Sequence, residues 1–455
     1  VFRLILSTLV LAALISVGKI AYAAQDDARW IVMADIHFDP FADRTIVDRL
    51  AGASASEWPA ILSTDERHVP AGAGHDSDAA LLASALLAMK RAVPDPPVVL
   101  IAGDFLAHRF RERFDATARI HDDDAYRSFV EKTTDYLALV LHRTYPHAQI
   151  LPTIGNNDGV CGDYRSAQDE DFLAHMARTW EPLVNVGNRA PDFAHTFAWN
   201  GSYVARLPLN HSQIIVLNSV FWSAKYENAC GSAQETPGDD ELRWAARLLD
   251  HPPVAERTWV MTHIPPGIDE YSTLMLLGHP ISLYRADAQQ RLLTILDNPR
   301  AHVTTMIAGH LHQFAFRQSN AEHEENVPIL VAGSISPVYG NAPSFLAIQI
   351  APETMRIADF TSYSFGASNV GPPVWRKDYD FNATYDENGF TPASLADLHR
   401  RELTTSGLRT KIAQHAAASD MPLATINPGI WRASWCAQTE LTPQTFTNCM
   451  QIMQH

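Results

Sequence analysis

The sequence predicts a mixed α/β protein, on three observations. Short apolar runs recur along the chain and stop abruptly at polar residues, as buried strands do at the rim of a sheet. The first two runs are separated by an amphipathic helical pattern, the spacing of a parallel βαβ unit. Beyond residue 365 the runs give way to an aromatic-rich and then helical segment.

Residues 1–23 read as a secretory signal. Arg3 is a short charged start, Leu4 to Val17 an apolar stretch, and Ala21-Tyr22-Ala23 a small-residue cleavage site. Lys19 interrupts the run, which leaves it short for a membrane span. The mature protein is expected to be secreted or periplasmic, with no transmembrane segment.

Arg29 to Ala34 predicts the first strand, ending at Asp35-Ile36-His37, where residues i and i+2 face the same way. Residues 39–75, rich in Pro, Gly, Ala and Ser, read as a long rim loop. Asp76 or Ser77 then caps a helix whose stripe is Leu81, Leu82, Ala85, Leu86 and Met89, and Pro94, Pro96 and Pro97 end it. The strand Val98–Ala102 delivers Gly103-Asp104. A second helix covers 125–143, and the strand Ile150–Ile154 leads into Gly155-Asn156-Asn157-Asp158.

Gln213–Leu217 is a strand ending at Asn218, Asp240–Leu249 a helix, and Thr258–Thr262 a strand ending at His263. Ile264-Pro265-Pro266-Gly267 can extend neither element and must be an ordered bend. Ala288–Leu296 is helical with Asp287 as its expected N-cap. Val303–Ala308 is a strand reaching Gly309-His310-Leu311-His312, and Ile329–Gly333 and Phe345–Ile350 are further strands. The main domain is thus expected over 24–365. Residues 366–455 read as a mainly helical C-terminal extension, with Trp375, Tyr379, Phe381, Tyr385 and Phe390 at its start and helices near 393–405 and 407–418. Trp431 and Trp435 read as a hydrophobic anchor for it.

The chain has 455 residues, 46% hydrophobic, enough for one large domain with an appendage. A net charge of −16 without a basic block argues against non-specific nucleic-acid binding, and no specific nucleic-acid binding is expected. Four cysteines in an exported chain favour disulfides. Three pairings are possible; Cys436 with Cys449 would close a short local loop and leave Cys161 with Cys230. No C-x-x-C spacing suggests a zinc–thiolate site.

Asp and neutral His are ligands for divalent zinc, manganese or iron. Five segments carry such groups at the ends of apolar runs: Asp35-x-His37, Gly103-Asp104, Gly155-Asn156-Asn157-Asp158, His263, and Gly309-His310-x-His312. In this order they resemble the calcineurin-like metallophosphoesterases, over about residues 30–350. Asp76-Ser77, Gly103–His108, His263–Gly267, Ala332–Pro337 and Asn341–Phe345 look most like the acid sphingomyelinase-like phosphodiesterases within that superfamily.

The resemblance implies a four-layer α/β/β/α sandwich and two divalent metal ions, zinc first and manganese or iron as alternatives. Asp35, His37 and His312 would hold one ion, Asn156, His263 and His310 the other, and Asp104 would bridge them. A hydroxide shared by the ions would attack a small phosphodiester. The chain departs from the superfamily at Asn157, where a histidine usually serves as the acid near the leaving oxygen. An amide cannot give up a proton and stay neutral, so the acid is expected at His108, tuned by the metals and by Asp158.

The Gly-Asn-Asn-Asp turn also resembles endopolyphosphatases. That keeps phosphoanhydride cleavage, of polyphosphate or nucleotides, as the alternative. A non-catalytic scaffold is the least favoured reading, because it has no reason to keep seven ligands. The animal sphingomyelinase carries a saposin-like domain for which residues 24–30 leave no room, so soluble phosphodiesters fit as well as lipids. Asn218, Tyr339 and Asn341 follow strands and are further pocket candidates. Trp222 and Tyr226 are expected to pack loops rather than stack on substrate.

Overall fold

The computed structural model describes residues 29–64, 70–120, 122–168, 170–209, 211–228, 230, 236–250, 257–274, 279–321, 323, 326–366, 373–418 and 430–453. The expected signal segment lies outside them. Among the described residues, twelve strands form two six-stranded sheets. The first contains β1 (Arg29–Met33), β2 (Val98–Ile101), β3 (Gln149–Pro152), β10 (Ser344–Ala351), β11 (Arg356–Gly366) and β12 (Val374–Asp380), in the order β12-β11-β10-β1-β2-β3. The second contains β4 (Tyr203–Arg206), β5 (Ser212–Val216), β6 (Arg257–Met261), β7 (Val303–Ala308), β8 (Ala315–Gln318) and β9 (Pro328–Val331), in the order β4-β5-β6-β7-β9-β8.

Strands β1, β2 and β3 run parallel, as do β5, β6, β7 and β9. Their near-continuous Val, Ile, Leu and Met residues are buried, as strands covered on both faces require. The sheets face one another. Trp30 on β1 meets Trp259 on β6 with ring centroids 5.3 Å apart, and one apolar core takes residues from both sheets and from helices Ala79–Ala92, Asp123–Thr144 and Asp171–Val184. A second core fills the outer side of β5, β6, β7 and β9 under helices Pro237–Asp250 and Ala286–Leu296. This is the expected sandwich of two sheets flanked by helices. Among the described residues no helix is long and apolar enough to cross a membrane.

The chain departs from the sequence reading in several places. The stretch expected as loop contains short helices Val47–Gly52 and Trp58–Leu62. Trp58 is wholly buried against Phe129, and its Nε1 donates to Leu50 O at 3.0 Å. One large aromatic anchors what composition alone marks as irregular. Asp78, not Asp76 or Ser77, caps the next helix by accepting from Leu81 N at 2.7 Å. Asp287 lies in the first turn of its helix, and the N-cap position is Arg285.

The segment beyond 366 opens with a strand of the main sheet, since β12 pairs antiparallel with β11. Its aromatics pack there: Trp375 against Phe345, and Tyr379 and Phe381 against Phe360. Helices Pro392–Thr404, Ser406–Ala417, Ile430–Ala437 and Pro443–Ile452 follow. Trp435 stacks on His399 at 4.0 Å, and Trp431 lies under the Arg409 guanidinium. Disulfides join Cys161 to Cys230 and Cys436 to Cys449.

Candidate metal centre

Because the central strands are parallel, their carboxyl ends emerge on one side, where ligands bind in open α/β sheets. There the two sheets are sewn together. Ala34, beyond β1, bridges Ser334, beyond β9, and Ile335 N donates to Ala34 O at 3.1 Å. Asp35 N donates to Gly103 O at 3.0 Å, and His37 N to Asp104 O at 2.9 Å. Gly309 N donates to His263 O at 2.8 Å. Four of the five expected ligand segments are therefore fixed by the backbone of another, and the fifth, Gly155–Asp158, is tied to Asp104 through side chains.

The rim is crowded. A Cβ on Gly155 would stand 2.1 Å from Asp104 Oδ1, and one on Gly309 2.8 Å from Asp35 Oδ2. Five of the seven expected ligands have left-handed backbone: Asp35 (φ 51°), His37 (42°), Asp104 (56°), His310 (73°) and His312 (56°). That conformation costs a non-glycine residue about 1–3 kcal/mol, and it persists because the bonds between segments over-determine it.

The side chains meet in two overlapping groups. His37 Nε2 stands 3.1 Å from His312 Nε2 and 3.3 Å from Asp104 Oδ2. Asp35 Oδ1 lies 3.5 Å from His312 Nε2. On the other side, His263 Nε2 is 3.2 Å from Asp104 Oδ2 and 3.0 Å from Asn156 Oδ1. Ligand atoms of Asp104, His263 and His310 lie within 4.8 Å of one another, as do those of Asp35, His37 and Asp104. Asp104 belongs to both groups.

The outer contacts fix which atoms face inward. His37 Nδ1 donates to Leu106 O at 2.9 Å, and His263 Nδ1 to Ala102 O at 2.7 Å, leaving each Nε2 as a lone pair. Asn156 Nδ2 donates to Asp163 Oδ1 at 2.8 Å, which turns its Oδ1 inward. Tyr164 OH stands 3.3 Å from His310 Nε2. Converging lone pairs repel unless a proton or a cation lies between them, and this mixed nitrogen and oxygen set suits a borderline divalent ion.

Proton affinities reflect the same crowding. Burial pushes the Asp35 carboxyl up to about 7, opposed by His263 and assisted by the Asp104 charge. Burial alone would lower His263, but Asp104 and Asp35 carry it up to about 9. Burial and the neighbouring His263 hold His310 well below its ordinary value, and burial and His37 do the same to His312. Cations bound there would displace these protons.

The three expected catalytic residues take different places. Asn157 does not stand free toward a leaving group: its Nδ2 donates to Asp104 Oδ2 at 3.0 Å and its backbone N to Asp104 Oδ1 at 2.8 Å. It braces the shared carboxylate. Asp158 is not beside His108. It lies beneath the Asp104 turn, accepting from the backbone N–H groups of Asp104, Phe105, Leu106 and Gly155. Burial and the Asp104 charge raise its carboxyl to about 7. Its hydrogen bonds go to the turn that carries Asp104.

His108 stacks on His37, centroids 4.0 Å apart, and its Nδ1 meets Asp76 Oδ1 at 2.9 Å. Asp76 also accepts from His108 N, Arg113 Nη2 and Ser336 Oγ, and Arg113 reaches Asp39 as well. Burial lowers the His108 imidazole, and the hydrogen bond and charge of Asp76 outweigh it, so the net shift is upward. Tyr339 OH stands 3.2 Å from His108 Nε2. Asp76, read from the sequence as a helix cap, thus orients the imidazole.

A pocket of about 490 Å³ opens over the cluster, lined by Asp104, His108, Asn156, His310 and His312, with Tyr339 and Asn341 on its rim. Asn218 is buried away from it, donating to Asn200 O and accepting from Val220 N. Trp222 packs on Tyr284, and Tyr226 OH donates to Ser166 O. Asp163 and Tyr164 went unnoticed in the sequence, where they sit in a polar turn with no pattern of their own.

Comparison with known proteins places this geometry. Residues 28–314, more than half of the chain, match the family described as Calcineurin-like phosphoesterase. The chain is 27% identical over 284 residues to Sphingomyelinase phosphodiesterase D of Dictyostelium discoideum, covering 60% of this chain and 61% of that protein. It is 22% identical over 415 residues to human Acid sphingomyelinase-like phosphodiesterase 3b, covering 86% of this chain and 82% of the relative. It is 21% identical over 284 residues to the bovine Cyclic GMP-AMP phosphodiesterase SMPDL3A, covering 60% of each. With the expected ligands of that family drawn together at the strand ends, the chain belongs to the calcineurin-like phosphoesterases.

Proposed function

We propose that the chain is an exported phosphodiesterase that works with two divalent cations, zinc first among them. The observation that carries this reading is the convergence of seven nitrogen and oxygen ligand residues from five separated segments, six of them gathered about the seventh, Asp104. Asp35, His37 and His312 would hold one cation and Asn156, His263 and His310 the other, with Asp104 between. When bound, such a pair lowers the pKa of water and neutralises charge on a phosphoryl group.

The rest of the chemistry belongs to the chain's own groups. His108 lines the pocket, and Asp76 on its Nδ1 leaves Nε2 to give a proton to the leaving oxygen. Asn157 and Asp158 keep Asp104 in place. Export is supported by the two disulfides, which persist in oxidising compartments. A phosphodiester substrate is supported by the names of the relatives, which include sphingomyelinases and a cyclic dinucleotide phosphodiesterase.

Asn157 favours a second reading, cleavage of phosphoanhydrides. An amide cannot deliver a proton, and a departing phosphate needs less help than an alkoxide. Metal analysis of the purified protein, followed by assays on bis-p-nitrophenyl phosphate, sphingomyelin, ATP and long-chain polyphosphate, tests both. Preference for the first two supports the diester reading, and preference for the last two the anhydride reading. A metal-loaded protein that turns over none of them is a binding scaffold.

A further inference from the structure

The His108–Asp76 pair is a wall between two openings. On one side His108 lines the pocket over the Asp104 cluster. On the other, Asp76 lines a crevice of about 610 Å³ together with Asp39, Arg109 and Arg113. The two openings share no lining residue. Segment 37–39 runs beside 76–77, where Ser77 N donates to His37 O at 3.1 Å and Asp39 N to Ser77 O at 2.8 Å. Two carboxylates, Asp39 and Asp76, thus stand side by side, and both are buried.

Arg113 bridges them. Its Nη1 donates to Asp39 Oδ2 at 2.6 Å and its Nη2 to Asp76 Oδ2 at 3.1 Å. The local chain brings it there. Arg109, directly after His108, takes a left-handed turn (φ 55°) and opens helix Phe110–Thr117, and Arg113 N donates to Arg109 O at 3.0 Å in its first turn. One short helix thus returns a guanidinium to the carboxylate that His108 already holds. Each Asp76 oxygen is then filled twice: Oδ1 by His108 Nδ1 and Ser336 Oγ, Oδ2 by His108 N and Arg113 Nη2. Neighbouring buried carboxylates repel, and removing the cation between them leaves that repulsion uncompensated. A planar fork spans two acceptors, which a compact ammonium does not.

We propose that Arg113 is a positioning residue for the proton-transfer step. Its fork holds Asp39 and Asp76 together, which fixes the Asp76 carboxylate against His108 Nδ1 and keeps Nε2 turned toward the pocket. The inference rests on the reading of His108 as the acid and extends it to a residue that meets no substrate. Arg113 reaches the pocket only through Asp76 and His108, from the crevice behind them. The proton still passes from His108 Nε2 to the leaving oxygen, and Arg113 gives up none.

The test uses metal-loaded full-length protein and two substrates, bis-p-nitrophenyl phosphate and an alkyl diester, with His108→Ala as the reference. Arg113→Ala should lower kcat on the alkyl diester about tenfold more than on the p-nitrophenyl ester, whose leaving group needs no acid, and leave KM for both nearly unchanged. Guanidinium ion at millimolar concentration should restore most of the alkyl rate by entering the crevice, and ammonium at the same concentration should not. Should Arg113→Ala fail to fold, Asp39→Asn/Arg113→Met, which leaves no unpaired carboxylate at position 39, carries the same expectation for selectivity. Equal slowing of both substrates where His108→Ala is selective overturns the proposal. So does a loss that guanidinium does not restore or that ammonium restores equally. If the wild type does not turn over the alkyl diester, or His108→Ala slows both substrates alike, the acid reading has failed. A crystal structure of the Arg113 variant then decides the positioning role: His108 Nδ1 displaced from Asp76 supports it, and an imidazole still within hydrogen-bond distance overturns it.

Discussion

The two ligand groups around Asp104 are built differently. Asp35, His37 and His312 sit where the sheets are sewn together, and all three are buried. The nitrogen that His37 turns outward meets a backbone carbonyl, and the group is flanked by the His108–Asp76 pair. Asn156, His263 and His310 share one wall with the sheet, through His263 on Ala102 O, but Asn156 and His310 lean on Asp163 and Tyr164. Those two sit in a segment that the Cys161–Cys230 disulfide ties to a second loop. One half is held by backbone contacts and flanked by the His108–Asp76 pair. The other is held by loop side chains.

The sharpest way to break the comparison is to remove what the halves share. Asp104→Asn turns an NH₂ group toward donors on Asn157 and takes away the common carboxylate. Turnover should fall at least about a hundredfold, and bound metal below two ions per chain by elemental analysis. Next comes the half that His108 flanks. His108→Ala should slow alkyl esters on the order of a hundredfold more than p-nitrophenyl esters, whose leaving group needs no acid. Equal slowing of both would remove the acid from His108.

On the loop-wired side, Asp163→Asn should weaken one metal site about tenfold to a hundredfold and leave the other near its original affinity, read by stepwise metal titration. Equal loss at both sites would mean the halves are not independent. The smallest effect concerns pH. Asp76 raises His108, so the protonated acid persists to higher pH, and activity on alkyl esters should decline as pH rises through its pKa. Asp76→Asn should move that alkaline decline to lower pH, with little movement for p-nitrophenyl esters. Asp163→Asn should leave it in place.

What the sequence discloses divides between the ligands and their supports. Ligands of both groups are legible because a buried strand announces itself by an apolar run, and Asp35, Asp104, His263 and His310 stand where such runs stop. The loop supports are not. Asp163 and Tyr164 belong to no periodic pattern, and their partners Asn156 and His310 are 7 and 146 residues away. Asp76 reads as a helix cap in the sequence because a cap and an imidazole partner call for the same side chain; in the fold Asp78 takes the capping task and Asp76 meets His108. Asn157 was seen as an anomaly, but its contact with Asp104 exists only once two turns 53 residues apart are folded together. In the fold, β12 escaped notice because its charged, half-exposed edge lacks the apolar run that marked the central strands. The helices between 47 and 62 were hidden by a composition that favours loops.

The left-handed turns at Asp35, His37, Asp104, His310 and His312 have one further implication. Apart from glycine, the residues that tolerate such backbone most readily are Asp, Asn and His. Those are also side chains that grip divalent ions through oxygen or nitrogen. The bends demanded by the closing of two sheets and the donors demanded by a cation therefore draw on one small vocabulary. A redesign that swaps these donors for Glu or Cys faces a steric objection from the main chain before any question of coordination arises.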